Sequence, residues 1–189
     1  MNIALLNKKG GVGKTTFGFS IAKDLGCYMQ SNDYSIIEQI YPGKAKISKN
    51  MELVDADCVY DFGGFVASGV LDIIKHCDYI IVPILPSLNA IFKAVETIKE
   101  IYSYNKNIII LATGFKDDKE KEFLRVNLEA TKINPVAVYY FKFSKILNNS
   151  INAGMSFLEL YDENPLARRG YEAFISEYKK LLARLKEKH

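Results

Sequence analysis

The strongest constraint on the fold is a glycine-rich break between two patterned segments. Residues 3–7 form an apolar run closing on Asn7. Lys8-Lys9-Gly10-Gly11-Val12-Gly13-Lys14-Thr15-Thr16 follows, and a helical pattern runs from Lys14 to Leu25. The first segment reads as a buried strand and the second as the helix behind it. Glycines between them let backbone N–H groups turn inward around an anion, where a Cβ would collide or forbid the dihedral. Lys14 is then placed to reach the β- and γ-phosphates of a nucleotide, and the Thr15 hydroxyl to ligate Mg²⁺. The amino end of the helix adds its positive dipole. Gly10, Gly11, Val12, Gly13, Lys14, Thr15 and Thr16 are therefore the candidate triphosphate contacts.

The same alternation continues along the chain. Strands are expected at residues 57–61, 79–83, 107–113 and 135–140, with helices at 66–76, 87–104 and 119–131. Residues 28–54 read as one short strand and an irregular connection. Apolar, β-branched runs without polar alternation suit strands covered on both faces. The expected fold is α/β: a doubly wound, mainly parallel sheet flanked by helices, in the manner of P-loop NTPases. A chain of 189 residues fits one domain, residues 1–189, and is large enough to fold without disulfide or metal.

Cys27, Cys58 and Cys77 are an odd count without a CxxC pair. Each lies in or beside an apolar stretch, so they read as reduced, buried thiols, which fits a reducing compartment. The chain runs from Met1 directly into apolar sequence with no basic leader. Its longest apolar runs fall well short of the roughly 20 residues needed to span a bilayer. A cytoplasmic location is expected. The formal charge of +3 is too small to announce a nucleic-acid binder by itself.

A second element completes the first. Cys58-Val59-Tyr60-Asp61 is an apolar strand ending in an acid, followed by Phe62-Gly63-Gly64. This is the expected Walker B strand, in which Asp61 holds a water on Mg²⁺, while Gly63 and Gly64 sense the γ-phosphate.

Lys8 stands where the standard loop has glycine, and Lys9 directly precedes the paired glycines. That arrangement resembles the deviant Walker A family, which includes ParA-type partition ATPases, MinD-type division-site ATPases and nitrogenase iron proteins. The resemblance extends through Ile81-Val82-Pro83-Ile84-Leu85-Pro86-Ser87, residues 152–159 and residues 164–171, and is nearest to small ParA-type ATPases without an N-terminal helix-turn-helix. It implies that Lys9 crosses a dimer to touch the partner's phosphates. It also aligns Ser31-Asn32-Asp33 with the family's Asp-x-Asp, making Asp33 the catalytic acid beside Lys9 and Lys14. Ser31 then replaces the first acid, and Tyr34-Ser35 replaces Pro-Gln. The alternative for Asp33 is an ordinary turn residue.

The resemblance further implies an ATP-dependent homodimer that coats non-specific DNA in association with the nucleoid. Slow Mg²⁺-dependent ATP hydrolysis, stimulated by a ParB-type centromere-binding protein, would release it. Residues 165–189 carry seven lysines and arginines against three glutamates. Arg168, Arg169, Lys179, Lys180 and Arg184, with Lys142 and Lys145 upstream, are the candidate DNA contacts. A solvated helix face is the plain alternative for each of them.

Phe174, Tyr178, Leu181, Leu182 and Leu185 form an apolar stripe opposite these cations. In a MinD-like protein such a stripe lies on membranes. Here no Phe/Leu-rich tip follows, and the stripe serves equally to close a core, so membrane attachment is not the expectation. A nucleotide-gated DNA-binding adaptor with negligible hydrolysis is the other alternative. An iron–sulfur reductase is excluded by the positions of the cysteines.

Overall fold

The computed structural model describes residues 1–63 and 69–187. Seven strands form one sheet: β1 (Asn2–Leu6), β2 (Tyr28–Ser31), β3 (Ala45–Ile47), β4 (Cys58–Phe62), β5 (Tyr79–Ile84), β6 (Ile108–Phe115) and β7 (Ala137–Lys142). Their order across the sheet is β3-β2-β4-β1-β5-β6-β7, and every pairing is parallel. The helices are α1 (Lys14–Leu25), α2 (Ile37–Ile40), α3 (Val70–Lys75), α4 (Leu88–Ile101), α5 (Asp118–Ala130), α6 (Ile146–Ala153), α7 (Phe157–Asp162) and α8 (Pro165–Lys186).

The absence of polar alternation in the strands has a direct cause. Ile3 and Leu5 of β1 point into one core, which they share with Phe17, Phe19 and Ile21 of α1 and Phe174 and Tyr178 of α8. Ala4 and Leu6 point into the other, against Ile73 of α3, Ile98 of α4 and Leu124 of α5. Both faces are dry, so successive residues of a strand are apolar in turn. The first core is knitted by aromatic contacts: Phe17 meets Phe141 at 5.1 Å and Phe157 at 5.3 Å between ring centroids, and Phe174 meets Phe141 at 4.8 Å. The apolar stripe of α8 is buried here, which leaves it nothing to offer a membrane surface. Among the described residues no helix is long and apolar enough to cross a bilayer.

Four differences from the sequence reading are local. Residues 28–54 hold two short strands and a one-turn helix rather than a single strand. The second of these, β3, is a three-residue edge strand ordered by pairing with β2 (Met29 with Ala45, Ser31 with Ile47). Its Lys44-Ala45-Lys46-Ile47 sequence carries little apolar signal of its own. The helix expected at 66–76 is seen as Val70–Lys75, and residues 66–68 of that expectation lie outside the described residues. Strand β7 reaches Lys142, so Tyr139, Tyr140 and Phe141 lie within it and Phe143 just past it. Finally, α6 and α7 separate β7 from α8. The three cysteines are free and buried, as expected.

Candidate nucleotide-binding site

Chain order reverses about β1: the chain winds to β4 on one side of it and then crosses to β5 on the other. Ligands of open α/β sheets bind outside the carboxyl ends of strands at such a point, and the glycine loop and Asp61 lie at the ends of these two central strands.

Asn7, fully buried, fixes the start of the loop. Its amide nitrogen donates to the Pro83 carbonyl at 2.7 Å, and its Oδ1 accepts from the Lys9 N–H at 2.8 Å. Lys8 is drawn to α4, where its N–H donates to Thr97 Oγ1 at 3.2 Å and its ammonium pairs with Glu100. Gly11 and Gly13 adopt φ of 72° and 92°, the left-handed region that side chains disfavour. The loop can close into a cradle for this reason. Gly13 caps α1 without a side-chain hydrogen bond, and the first turn carries no acid. By contrast Ser87, Asp117, Ser156 and Asn164 cap α4, α5, α7 and α8. The first amides of α1 are thus left for an anion.

Lys14 is 5% exposed, and among the described residues its Nζ hydrogen-bonds only to the Lys9 carbonyl, at 3.5 Å. Burial lowers its pKa, and the charges of Asp61 and Asp33 partly oppose that shift. An ammonium held this dry favours an incoming phosphate over a neutral partner. Asp61 is fully buried at the end of β4. Its Oδ2 accepts from Thr15 Oγ1 at 2.7 Å and from Ser31 Oγ at 3.0 Å. Its Oδ1 is buried without a hydrogen-bond partner among the described residues. Burial pushes the carboxyl pKa up, although both hydroxyls and Lys14 pull it down. An orphaned carboxylate oxygen beside a threonine hydroxyl is a donor set that fits hydrated Mg²⁺.

Asp33 lines the same cleft, opposite the glycine loop. The cleft has a volume of about 400 Å³ and runs from Gly11 and Lys14 to Thr113, Gly114, Phe143 and Asn148. Phe143, 60% exposed, presents an uncovered ring to the cleft. A hollow of about 520 Å³ at the β3 edge, beside Tyr28 and Lys44, holds none of these groups. Gly63 sits against Asp33, whereas Gly64, predicted with it, lies outside the described residues.

The structure therefore brings together Lys9 through Thr16, Asp33, Asp61 and Gly63. Sequence reasoning missed Asn7 as the loop anchor, the hydroxyl of Ser31 on Asp61, and the far wall of the cleft. Asn7 was signalled by a polar residue closing an apolar strand. The far wall carries no motif, because it is assembled from the ends of β6, β7 and α6.

The candidate DNA contacts do not form one compact patch. Lys142 and Lys145 are exposed at the end of β7 and the start of α6, beside the cleft. Arg168 pairs with Asp162 at 3.2 Å, Lys180 with Glu177 at 2.9 Å and Arg184 with Glu187 at 2.7 Å. Lys179 lies over the Tyr161 ring, and Arg169 is exposed. The Arg184 carbonyl accepts from the Tyr79 hydroxyl at the start of β5, which places the end of α8 at the amino-terminal ends of the strands, away from the cleft at their carboxyl ends.

Searched by sequence, the chain matches no protein-family model and no curated protein. Solved structures do match. The MinD cell division protein of Aquifex aeolicus superposes with a TM-score of 0.60 at 16% identity, covering 96% of each chain. A ParA family ATPase from Chlorobium tepidum gives 0.59 at 13% identity, over 88% of this chain and 95% of its own. A plasmid partition protein of Borrelia burgdorferi, described as putative and bound to AMPPNP, gives 0.59 at 14%, over 95% of this chain and 98% of its own. Over these lengths the chain has the fold of the MinD- and ParA-type ATPases.

Proposed function

We propose that the protein is a Mg²⁺-dependent ATPase of the ParA/MinD kind that dimerises on ATP, coats DNA without sequence preference, and is released by hydrolysis. The observation that carries the reading is the pairing of a dry Lys14, bonded only at 3.5 Å to the Lys9 carbonyl among the described residues, with a Thr15–Asp61 bond whose second carboxylate oxygen has no partner among them. The loop amides and Lys14 bind the β- and γ-phosphates. Thr15 would hold Mg²⁺ directly and Asp61 through water, and the ion would offset charge on the phosphate oxygens. Asp33 orients the attacking water from across the cleft. Lys9 reaches the phosphates of a second copy, placing a cation where leaving-group charge grows.

The fold likeness to a plasmid partition protein bound to AMPPNP supports the ATP reading. Positive charge at Lys142, Lys145, Arg169 and Lys179 supports a phosphate-directed, salt-sensitive DNA contact. The location is then cytoplasmic and nucleoid-associated, with a ParB-type centromere-binding protein as the stimulating partner. Burial of the α8 stripe weighs against a membrane surface.

The test is DNA and liposome binding side by side, with ATP, ADP and no nucleotide, on wild type and Lys14→Ala. A DNA shift that requires ATP, weakens steeply with salt and disappears in Lys14→Ala is expected. Liposome sedimentation without a DNA shift would replace partition by membrane positioning. Undiminished ATP affinity in Lys14→Ala would remove the nucleotide site itself.

A further inference from the structure

The loop after β2 is stitched to the end of β4 by three bonds. Ser31 Oγ donates to Asp61 Oδ2 at 3.0 Å, and the Asn32 N–H donates to the Asp61 carbonyl at 3.2 Å. The third bond joins side chain to backbone: the Gly63 N–H donates to Asn32 Oδ1 at 2.6 Å. The clasp is tight enough to dictate a residue type, since a Cβ on Gly63 would lie 2.5 Å from the Asp33 Cβ and 2.6 Å from its Cγ. The base of the Asp33 side chain therefore rests on the bare α-carbon of Gly63. The Asp33 carboxylate itself makes no hydrogen bond among the described residues, although it faces the glycine loop across the cleft. An asparagine in a turn ordinarily satisfies its side chain on backbone one or two residues away. Here the acceptor is spent on a residue 31 positions distant.

We infer that Asn32 is the positioning residue of this site. By holding the Gly63 amide it keeps Asp33 seated on Gly63 and aimed at the triphosphate, and it couples the loop after β2 to the backbone at Gly63. The inference rests on the ATPase reading above for its consequence in turnover, whereas the clasp is a contact between groups of the chain itself.

Two measurements test it. In ¹H–¹⁵N spectra of the nucleotide-free protein the Gly63 amide is expected to be protected from exchange, to lose that protection in Asn32→Leu, and to keep it in Asn32→Asp, which retains an acceptor of the same shape. In steady-state hydrolysis Asn32→Leu should lower kcat roughly fivefold or more, the size of one net hydrogen bond, with KM and ATP affinity within about twofold of wild type. Asn32→Asp should recover most of that loss. Gly63→Ala, which unseats Asp33 from the other side, should reproduce the Asn32→Leu kinetics. The inference is overturned if Asn32→Leu leaves kcat unchanged, if it weakens ATP binding in parallel with kcat, or if Asn32→Asp is no better than Asn32→Leu. Failure of the wild type to bind ATP would instead undo the functional reading, because the Gly63 amide signal requires no nucleotide.

Discussion

A carboxylate withdrawn from water is informative at the scale of one residue, and this chain has a half-buried one away from the glycine loop. Asp24, near the end of α1, accepts from the Tyr178 hydroxyl at 2.9 Å and from Ser156 Oγ. Burial raises its pKa even though both hydroxyls favour the ionised form. The folded state therefore binds the proton more tightly than the unfolded chain. Stability from this group is greatest at low pH. It falls as pH rises from the ordinary carboxylate value through the raised one, and the full penalty applies above that. Asp24→Asn keeps a carbonyl oxygen that accepts from one hydroxyl, turns an amide donor towards the other, and cannot ionise. Its melting temperature relative to wild type should therefore rise between pH 4 and pH 8, by a few degrees at most. Thermal melts across that range check the sign, and a constant difference would show that Asp24 carries no proton linkage.

At the scale of elements, β7, α7 and α8 meet in one aromatic cluster. Phe174 of α8 packs on Phe141 of β7 and Phe157 of α7, joining elements that are separate in sequence. Phe174→Ala should destabilise by about 3–5 kcal/mol through lost contacts and the cavity left behind. Leu166→Ala, at a site 82% exposed on the same helix, should stay within about 0.5 kcal/mol. Urea midpoints of the two variants check this, and equal midpoints would show that α8 is not anchored by this cluster. Helix α7 was missed in the sequence reading although its signal is present: Ser156 and Glu159 form a reciprocal capping box, which announces a helix start. Strand β3 had no such signal, because an edge strand of three residues is defined by its neighbour's backbone rather than by its own side chains.

At the scale of the molecule, the sheet reversal sets the glycine loop, Asp61 and Asp33 around one open cleft. A second copy facing that cleft would receive Lys9, whose N–H is tethered by Asn7 while the side chain is only partly buried. If Lys9 acts across a dimer as proposed, Lys9→Ala should bind ATP with an affinity within about threefold of wild type yet fail to dimerise, because the lost contact would lie only in the interface. Light scattering with ATP and Mg²⁺ measures this, and a normal ATP-dependent dimer would count against the role of Lys9.

The division between sequence and tertiary structure follows the range of the interactions. Residues 7–16 are readable as a candidate phosphate cradle because each condition on it is local: left-handed backbone at two glycines, a lysine one residue on, and a helix dipole behind. The parallel sheet was equally legible, because two-sided burial erases polar alternation within each strand. The wall of the cleft at Phe143 and Asn148, the hydroxyl of Ser31 on Asp61 and the clasp of Asn32 on Gly63 leave no trace in spacing. Their partners lie on different strands, and only the packed sheet, by fixing which strand ends are neighbours, decides that these side chains meet.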